Sequence, residues 1–208
     1  MHVSVSEKNP TGLTIRDQHL RRLQGTYLGT DEIESIFNKY DRKALIYPTP
    51  NKLNEYKNAD MHDEQIAVWT DYFNKKFNIN PPLDPNVVKA LIASESGFHK
   101  DPPNNPVAIG IAQITKPTLK ILQDPKGETK DFIFTKIRQK DLKDPNIAIP
   151  MGIRWLFRKR QTAESKLKRT PNAEEIILEY KGLLKSTTTY KDSALKKFRN
   201  EYAKLKKK

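Results

Sequence analysis

The sequence predicts a mainly helical fold, because its clearest hydrophobic patterns all have helical spacing. Residues 30–40 begin with the capping residue Thr30 and an acidic first turn, and apolar side chains then recur every three or four positions. Residues 65–77 carry a second stripe of this kind. The stripes consist of Ile33, Ile36, Phe37 and Tyr40 in the first segment and Ile66, Trp69, Tyr72, Phe73 and Phe77 in the second. Both segments are therefore predicted helices.

A third predicted helix begins at Pro85 and ends at Gly97. Asp84 is a typical N-cap residue, and proline suits the first helical position. Gly97 can adopt the left-handed conformation that ends many helices. The apolar stripe of this helix is formed by Val87, Val88, Leu91 and Ile92. The next residue on the stripe is Glu95, so the pattern places a carboxyl group on the buried face of the last helical turn.

This position gives the Glu95 side chain two reasons to hold a proton. Apolar neighbours disfavour an ionised carboxylate, and so does the negative end of the helix dipole. A carboxyl group that stays protonated near neutral pH can donate its proton to a leaving oxygen. From periodicity alone, however, the favoured interpretation is that the stripe simply ends at Glu95 and the helix meets water there.

The chain of 208 residues is strongly basic, with 38 Lys and Arg against 25 Asp and Glu and a net charge of +13. Residues 151–208 carry 17 basic and 6 acidic side chains, a net +11, whereas residues 1–60 and 61–150 each carry +1. Such a protein is drawn to anionic partners: nucleic acid, acidic lipid or acidic polysaccharide. The sequence argues against nucleic acid, because it contains no RNA-binding, zinc-finger or basic-zipper motif. A basic binding module without catalysis remains an alternative.

Composition excludes several other classes of protein. No apolar stretch approaches the roughly 18–20 residues of a spanning helix, so membrane insertion is not expected. The chain has no Cys, and its four His residues are scattered, so neither a metal nor another cofactor is expected. The first residues show no apolar core of a secretory signal.

Four motifs follow one another between residues 65 and 185. They are Glu95-Ser96-Gly97-Phe98, Gly110-Ile111-Ala112-Gln113-Ile114, Asp144-Pro145-Asn146-Ile147 with Gly152 and Trp155-Leu156, and Ile176-Ile177-Leu178-Glu179-Tyr180-Lys181-Gly182. In this order and spacing they resemble the motifs of the soluble lytic transglycosylase and goose-type lysozyme superfamily, which cuts the glycan strands of bacterial peptidoglycan. The resemblance implies a mainly α, lysozyme-like α+β fold with at most a small β element between Glu95 and Gln113.

The resemblance also implies roles for individual residues. Glu95 becomes the catalytic acid that protonates the β-1,4 bond between N-acetylmuramic acid (MurNAc) and N-acetylglucosamine (GlcNAc). Ser96, Gln113, Tyr180 and Asn146 become candidates for binding the glycan strand or orienting the acid. Each has a structural alternative: Gln113 could cap the following helix, Tyr180 could be a core aromatic residue, and Ser96 could serve the helix end.

The resemblance implies one of two catalytic variants. A lytic transglycosylase uses the substrate's own acetamido group and forms 1,6-anhydro-MurNAc ends, so one carboxylate suffices. A lysozyme-type hydrolase, or muramidase, needs a second carboxylate to activate water. Asp101 is the nearest candidate, although its Asp-Pro-Pro context is typical of a turn. Since no second carboxylate stands out, the sequence favours the transglycosylase. A degenerate member that binds glycan without cutting it is a further alternative.

The sequence departs from the family pattern at several positions. Lys181 stands where Asn is usual, and Gly182 comes one position early, so we expect a remodelled wall of the cleft. Ala112, Asn104 and Trp155 also replace the usual residues. These departures concern substrate register and supporting hydrogen bonds, and none removes the acid.

We expect the chain to consist of an N-terminal extension, residues 1–60, and a catalytic domain, residues 61–208, with basic C-terminal helices. The extension would be a docking or loading segment.

Because peptidoglycan lies outside the cytoplasmic membrane, we expect the protein to be delivered by a secretion or phage-type system, or to be secreted. Of these settings, we favour delivery as an antibacterial effector. Its partners would then include an immunity or inhibitor protein and a secretion-apparatus component. The basic region would hold the enzyme on the anionic wall.

Overall fold

The computed structural model describes residues 27–100, 102, 107–187 and 190–207. In this part of the chain, seven α-helices and two small sheets surround one core, so the predicted mainly helical fold is confirmed. The helices are α1 (Thr30–Lys39), α2 (Asp63–Lys76), α3 (Pro85–Ser96), α4 (Lys116–Gln123), α5 (Pro145–Leu167), α6 (Ala173–Tyr180) and α7 (Tyr190–Lys206). The strands are β1 (Tyr27–Leu28), β2 (Ala108–Ile109), β3 (Ile114–Thr115) and β4 (Ile133–Phe134), and a 3₁₀ helix, Gln139–Lys143, precedes α5. No helix within these residues is both long and apolar enough to cross a membrane.

The three helices predicted from periodicity are α1, α2 and α3. Helix α2 begins two residues before the predicted start, at Asp63, because its acidic first turn extends the helix. Helix α3 has the predicted ends. The Asp84 carboxylate accepts a hydrogen bond from the Asn86 backbone N–H at 2.9 Å, and Gly97 is left-handed with φ +60°.

Two sheets of two strands each complete the fold. Strands β2 and β3 form an antiparallel hairpin in which Ala108 lies opposite Thr115. A small β element was expected between Glu95 and Gln113; the first strand lies there, and the second follows Gln113. Strands β1 and β4 pair in parallel, with Tyr27 opposite Ile133. The sequence did not predict this second pair, because two-residue strands carry no periodic signal and their partners are far apart in the chain.

Helix α5 is buried on nearly every side along residues 147–157, because it packs against α1, α2, α4 and α6. Arg154 lies in its middle and is fully buried. The guanidinium pairs with the Asp131 carboxylate at 2.7 Å and donates to the Phe132 carbonyl oxygen at 3.2 Å. The charge inside the core is therefore compensated.

Helix α3 is enclosed between α2 and α7. Leu195, Phe198 and Leu205 of α7 are buried in the same core as the apolar stripe of α3. The Tyr202 hydroxyl donates to Asp84, the N-cap of α3, at 3.3 Å. The C-terminal helix thus fixes the position of α3 from outside.

Residues 27–60, the described part of the predicted N-terminal extension, also pack on this core. Leu28, Ile33 and Leu53 are each at most 2% exposed and belong to the same hydrophobic cluster as α3 and α5.

A buried lysine joins this segment to α3. Lys89 has no exposed surface, and its ammonium group contacts Asp60 at 2.5 Å, Asp63 at 2.8 Å and the Thr49 carbonyl oxygen at 3.1 Å. Sequence reasoning missed this cluster, since a single lysine within an apolar stripe does not reveal its partners. Two carboxylates and a carbonyl group together offset the cost of burying the ammonium group.

We expect Lys89→Met to lower the free energy of unfolding by about 3–5 kcal/mol, because it leaves two carboxylates beside a new apolar side chain. Lys75→Met is the matched control: Lys75 is 67% exposed and pairs with Asp71 on the helix surface, so the expected loss is at most about 1 kcal/mol. Urea unfolding followed by circular dichroism measures both. A Lys89→Met variant as stable as the control would contradict the role of this cluster.

Candidate active site

Glu95 lies in the last turn of α3, where this buried helix reaches solvent. Its side chain is 22% exposed, and beside it is a cavity of about 10 Å³, which is room for at most one water molecule. The cavity is lined by Val88, Leu91, Ile92, Glu95, Ala112, Ile149, Gly152, Ile153, Leu156 and Tyr180. Among these described residues Glu95 supplies the only carboxylate. The carboxyl group therefore stands between an apolar wall and water.

Tyr180, the last residue of α6, borders the same cavity. Its hydroxyl donates to the Ala112 carbonyl oxygen at 3.3 Å. Burial, together with the negative charge of Glu95, raises the pKa of the Tyr180 phenol above its ordinary range. The phenol is therefore neutral and available as a donor. The structure brings Tyr180 and Glu95 together, and the orienting role of Tyr180 stays a prediction.

Lys181 forms an ion pair with Glu95. It is the C-terminal cap residue of α6, and its backbone N–H donates to the Ile177 carbonyl oxygen at 3.0 Å. Its side chain is 23% exposed, nearly the same fraction as Glu95. The residue that departs from the family pattern is thus the direct partner of the predicted acid.

This contact could not be foreseen from the local sequence of Glu95. The helix end and the apolar stripe give no sign of a cation, whereas in the structure the Lys181 ammonium group contacts the Glu95 carboxyl group. The two residues are distant in sequence, and only the packing of α6 beside α3 brings them together. The signal available in the sequence was the substitution itself, a cation where the family pattern has a neutral amide.

Two glycines set the wall that faces Glu95. Gly110 has φ +73°, and a Cβ atom there would lie 1.9 Å from the Leu142 carbonyl oxygen. A Cβ atom at Gly152, on α5, would lie 2.5 Å from the Cβ atom of Ala112. Because neither glycine carries a side chain, α5 and the 3₁₀ helix approach the β2–β3 turn closely. Ala112 is thereby held against the cavity.

Gln113 closes the β2–β3 turn. It is buried and has φ +49°, and its side-chain amide nitrogen donates to the Gly110 carbonyl oxygen at 2.9 Å. The alternative that Gln113 caps the following helix is wrong, since the N-cap of α4 is Thr115, which accepts from the Thr118 backbone N–H. The predicted contact of Gln113 with the glycan strand stays a prediction.

Ser96 serves the end of α3. Its hydroxyl donates to the Ile92 carbonyl oxygen at 3.2 Å and accepts from the Phe98 backbone N–H at 3.1 Å, and the side chain is buried. This is the structural alternative that the sequence left open for Ser96. The predicted contact of Ser96 with the substrate stays a prediction, and the two hydrogen bonds of its hydroxyl are formed without a substrate.

Asn146 does not line the cavity beside Glu95. It lies at the start of α5, where its side chain accepts from Gln65 and donates to Asp144 at 2.9 Å. It borders an open groove of about 910 Å³, whose other walls come from α1, α2, the 3₁₀ helix and Lys100. The structure thus places the predicted substrate residue Asn146 in a neighbouring groove.

Asp101, the candidate for a second carboxylate, and Asn104 lie outside the described residues. Within the described ranges, no group of three or more His, Asp or Glu residues is placed to hold a metal ion.

We expect Gly152→Ala to push α5 away from Ala112 and to destabilise the fold by on the order of 1 kcal/mol, since overpacking costs about 1–3 kcal/mol and helix propensity returns up to about 1 kcal/mol. Adding Ala112→Gly removes the clashing atom, so the pair should show a favourable coupling of about 1 kcal/mol in a double-mutant cycle. Urea unfolding of the four proteins measures it. Strictly additive effects would show that the two residues are not in contact.

Comparison with known proteins agrees with the geometry. The family model of the transglycosylase SLT domain matches residues 72–197, which is more than half of the chain and includes Glu95, Gln113, Asn146 and the Tyr180-Lys181 pair. A search of curated proteins and a search of solved structures found no match. The family is peptidoglycan-cleaving and lysozyme-like. On this match, the chain belongs to the transglycosylase SLT domain family and is a lysozyme-like glycosidase acting on peptidoglycan at the cell wall.

Proposed function

We propose that Glu95 is the general acid and base that cleaves the MurNAc–GlcNAc β-1,4 bond of peptidoglycan glycan strands. The observation that carries this proposal is the position of Glu95 in the family's Glu-Ser motif, at the exposed end of a buried helix. Its side chain is partly accessible and borders an apolar cavity. A carboxyl group in such surroundings can be held in one orientation while its proton is transferred to the substrate.

In the first step the Glu95 carboxyl group gives its proton to the glycosidic oxygen, and the bond between that oxygen and C1 of MurNAc breaks. The carbonyl oxygen of the MurNAc acetamido group forms a bond to C1 and compensates its positive charge. Glu95 is left as a carboxylate. In the second step the C6 hydroxyl oxygen attacks C1, the acetamido oxygen leaves, and the hydroxyl proton returns to Glu95. The product is a 1,6-anhydro-MurNAc end, and no water is consumed.

The lytic transglycosylase is supported over the muramidase by the carboxylates of the site. A hydrolase needs a second carboxylate about 6.5–9.5 Å from the acid to activate water. Among the described residues that border the cavity, Glu95 supplies the only one. Asp101, which lies outside the described residues, is the candidate for that second carboxylate.

We extend the proposal to the biological setting. The net +11 of residues 151–208, with exposed lysines such as Lys196 and Lys207, would retain the enzyme on an anionic cell wall. The substrate lies outside the cytoplasmic membrane, so the chain must be secreted or delivered there. We propose delivery as an antibacterial effector, with residues 1–60 as the segment that docks on a secretion-apparatus component and an immunity or inhibitor protein as the second partner.

We expect Glu95→Gln to bind sacculi and to release glycan fragments about 100- to 10,000-fold more slowly than the parent chain, since this is the usual contribution of a general acid. Mass spectrometry of digested sacculi measures the release and identifies the ends. Anhydro ends indicate a transglycosylase, and reducing ends indicate a muramidase.

Glu164→Gln is the matched control, because Glu164 lies on α5 and does not border the cavity; it should digest sacculi like the parent. A Glu95→Gln variant that clears sacculi at the parental rate would overturn the catalytic role of Glu95. A parent chain that binds sacculi and releases nothing would indicate a binding module.

A further inference from the structure

We propose that Lys181 determines substrate specificity by exchanging Glu95 for a carboxylate on the bound glycan strand. The ion pair of Lys181 and Glu95 would then be the resting arrangement, and strands with a carboxylate near the scissile bond would be preferred. This inference rests on the proposed function, because it assigns Glu95 as the acid.

The ion pair conflicts with the first chemical step. In the ion pair a Glu95 carboxyl oxygen is engaged with the Lys181 ammonium group, whereas the first step requires the carboxyl group to face the glycosidic oxygen. Glu95 can act as an acid only when Lys181 has moved off it. The exposure of both side chains, 22% for Glu95 and 23% for Lys181, means that a bound strand can reach the pair.

Lys181 is built to move without disturbing the fold. Its backbone is fixed by the hydrogen bond to Ile177, while its ammonium group is carried on a flexible four-carbon stem. The next residue, Gly182, has φ +72°, and no atom lies within 4 Å of a Cβ atom built there. The backbone that follows Lys181 therefore lies in open space, and the Lys181 side chain is itself partly exposed.

A displaced ammonium group at this place needs a new anionic partner. The wall beside Glu95 is apolar, and an unpaired charge against such a wall is costly. Glu179, the carboxylate of α6 that is closest to Lys181 in sequence, is already occupied: it is buried, and both of its oxygens accept from Lys166, at 2.7 and 2.8 Å. A carboxylate on the ligand would supply this partner.

Peptidoglycan strands supply that chemistry in two places. The lactyl group of MurNAc ends in a free carboxylate where the stem peptide has been removed, and the stem peptide carries carboxylates where it remains. Either source would give Lys181 a charge-assisted hydrogen bond and free Glu95. Neutral chitin-type strands of GlcNAc offer neither.

Titration calorimetry with the full chain tests this exchange. The probes are the disaccharide GlcNAc-MurNAc with its free lactyl carboxylate, the same disaccharide with a lactyl carboxamide, and the same disaccharide carrying a short acidic stem peptide. None contains the MurNAc–GlcNAc bond, so binding is measured whether or not the chain cleaves strands. A failure of the proposed function, seen with sacculi, is therefore distinguishable from a failure of the exchange.

We expect the parent chain to bind a carboxylate-bearing disaccharide about tenfold more tightly than the carboxamide, the usual size of a hydrogen bond to a charged group. Lys181→Gln should abolish this ratio and Lys181→Arg should keep it. Lys185→Gln, at an exposed lysine four residues later, is the matched control and should leave the ratio unchanged. Tighter binding of the disaccharide with the free lactyl group would identify the lactyl carboxylate as the partner of Lys181. Tighter binding of the disaccharide with the stem peptide would identify a peptide carboxylate instead. An equal ratio in the parent and in Lys181→Gln would overturn the proposal.

Discussion

Helix α3 must be buried along most of its length and still present one carboxyl group to water. The rest of the described structure serves this constraint. Helices α2 and α7 enclose α3, Lys89 ties it to residues 49–63, and Gly97 ends it in a left-handed turn. Because the helix is held on several sides, the backbone that carries the Glu95 side chain has a fixed position. A catalytic group needs such a rigid support more than it needs many contacts of its own.

Part of this support lies outside the segment that matches the family. The match begins at residue 72, whereas Asp60 and Asp63, the carboxylates that compensate Lys89, precede it. Helix α1 also precedes it and forms one wall of the groove that contains Asn146. The described N-terminal residues therefore stabilise the helix that carries Glu95 and shape the surface next to it. A docking function of residues 1–60 would include residues 27–60, which are packed on the core.

The sequence predicted what depends on neighbours along the chain. The caps of α3, the stripe that leads to Glu95 and the order of the four motifs are local patterns, and they gave the fold class and the position of the acid. Contacts between distant segments could not be predicted. Lys181 meets Glu95, and Lys89 meets Asp60, only because helices pack side by side. For the same reason, the motif pattern could not show that Asn146 faces a groove other than the cavity beside Glu95. The basic residue Lys181 at a motif position indicated that the site is changed. The packing of α6 beside α3 shows that Lys181 contacts Glu95.

The central claim is that Glu95 reaches the glycosidic oxygen once Lys181 has left it. A crystal structure of the Glu95→Gln variant with a bound glycan strand containing an intact MurNAc–GlcNAc bond tests it most directly. We expect the side chain at position 95 to lie within about 3.2 Å of the glycosidic oxygen and the Lys181 ammonium group to contact a carboxylate of the strand. A strand bound away from position 95, with Lys181 still in contact with that side chain, would contradict it.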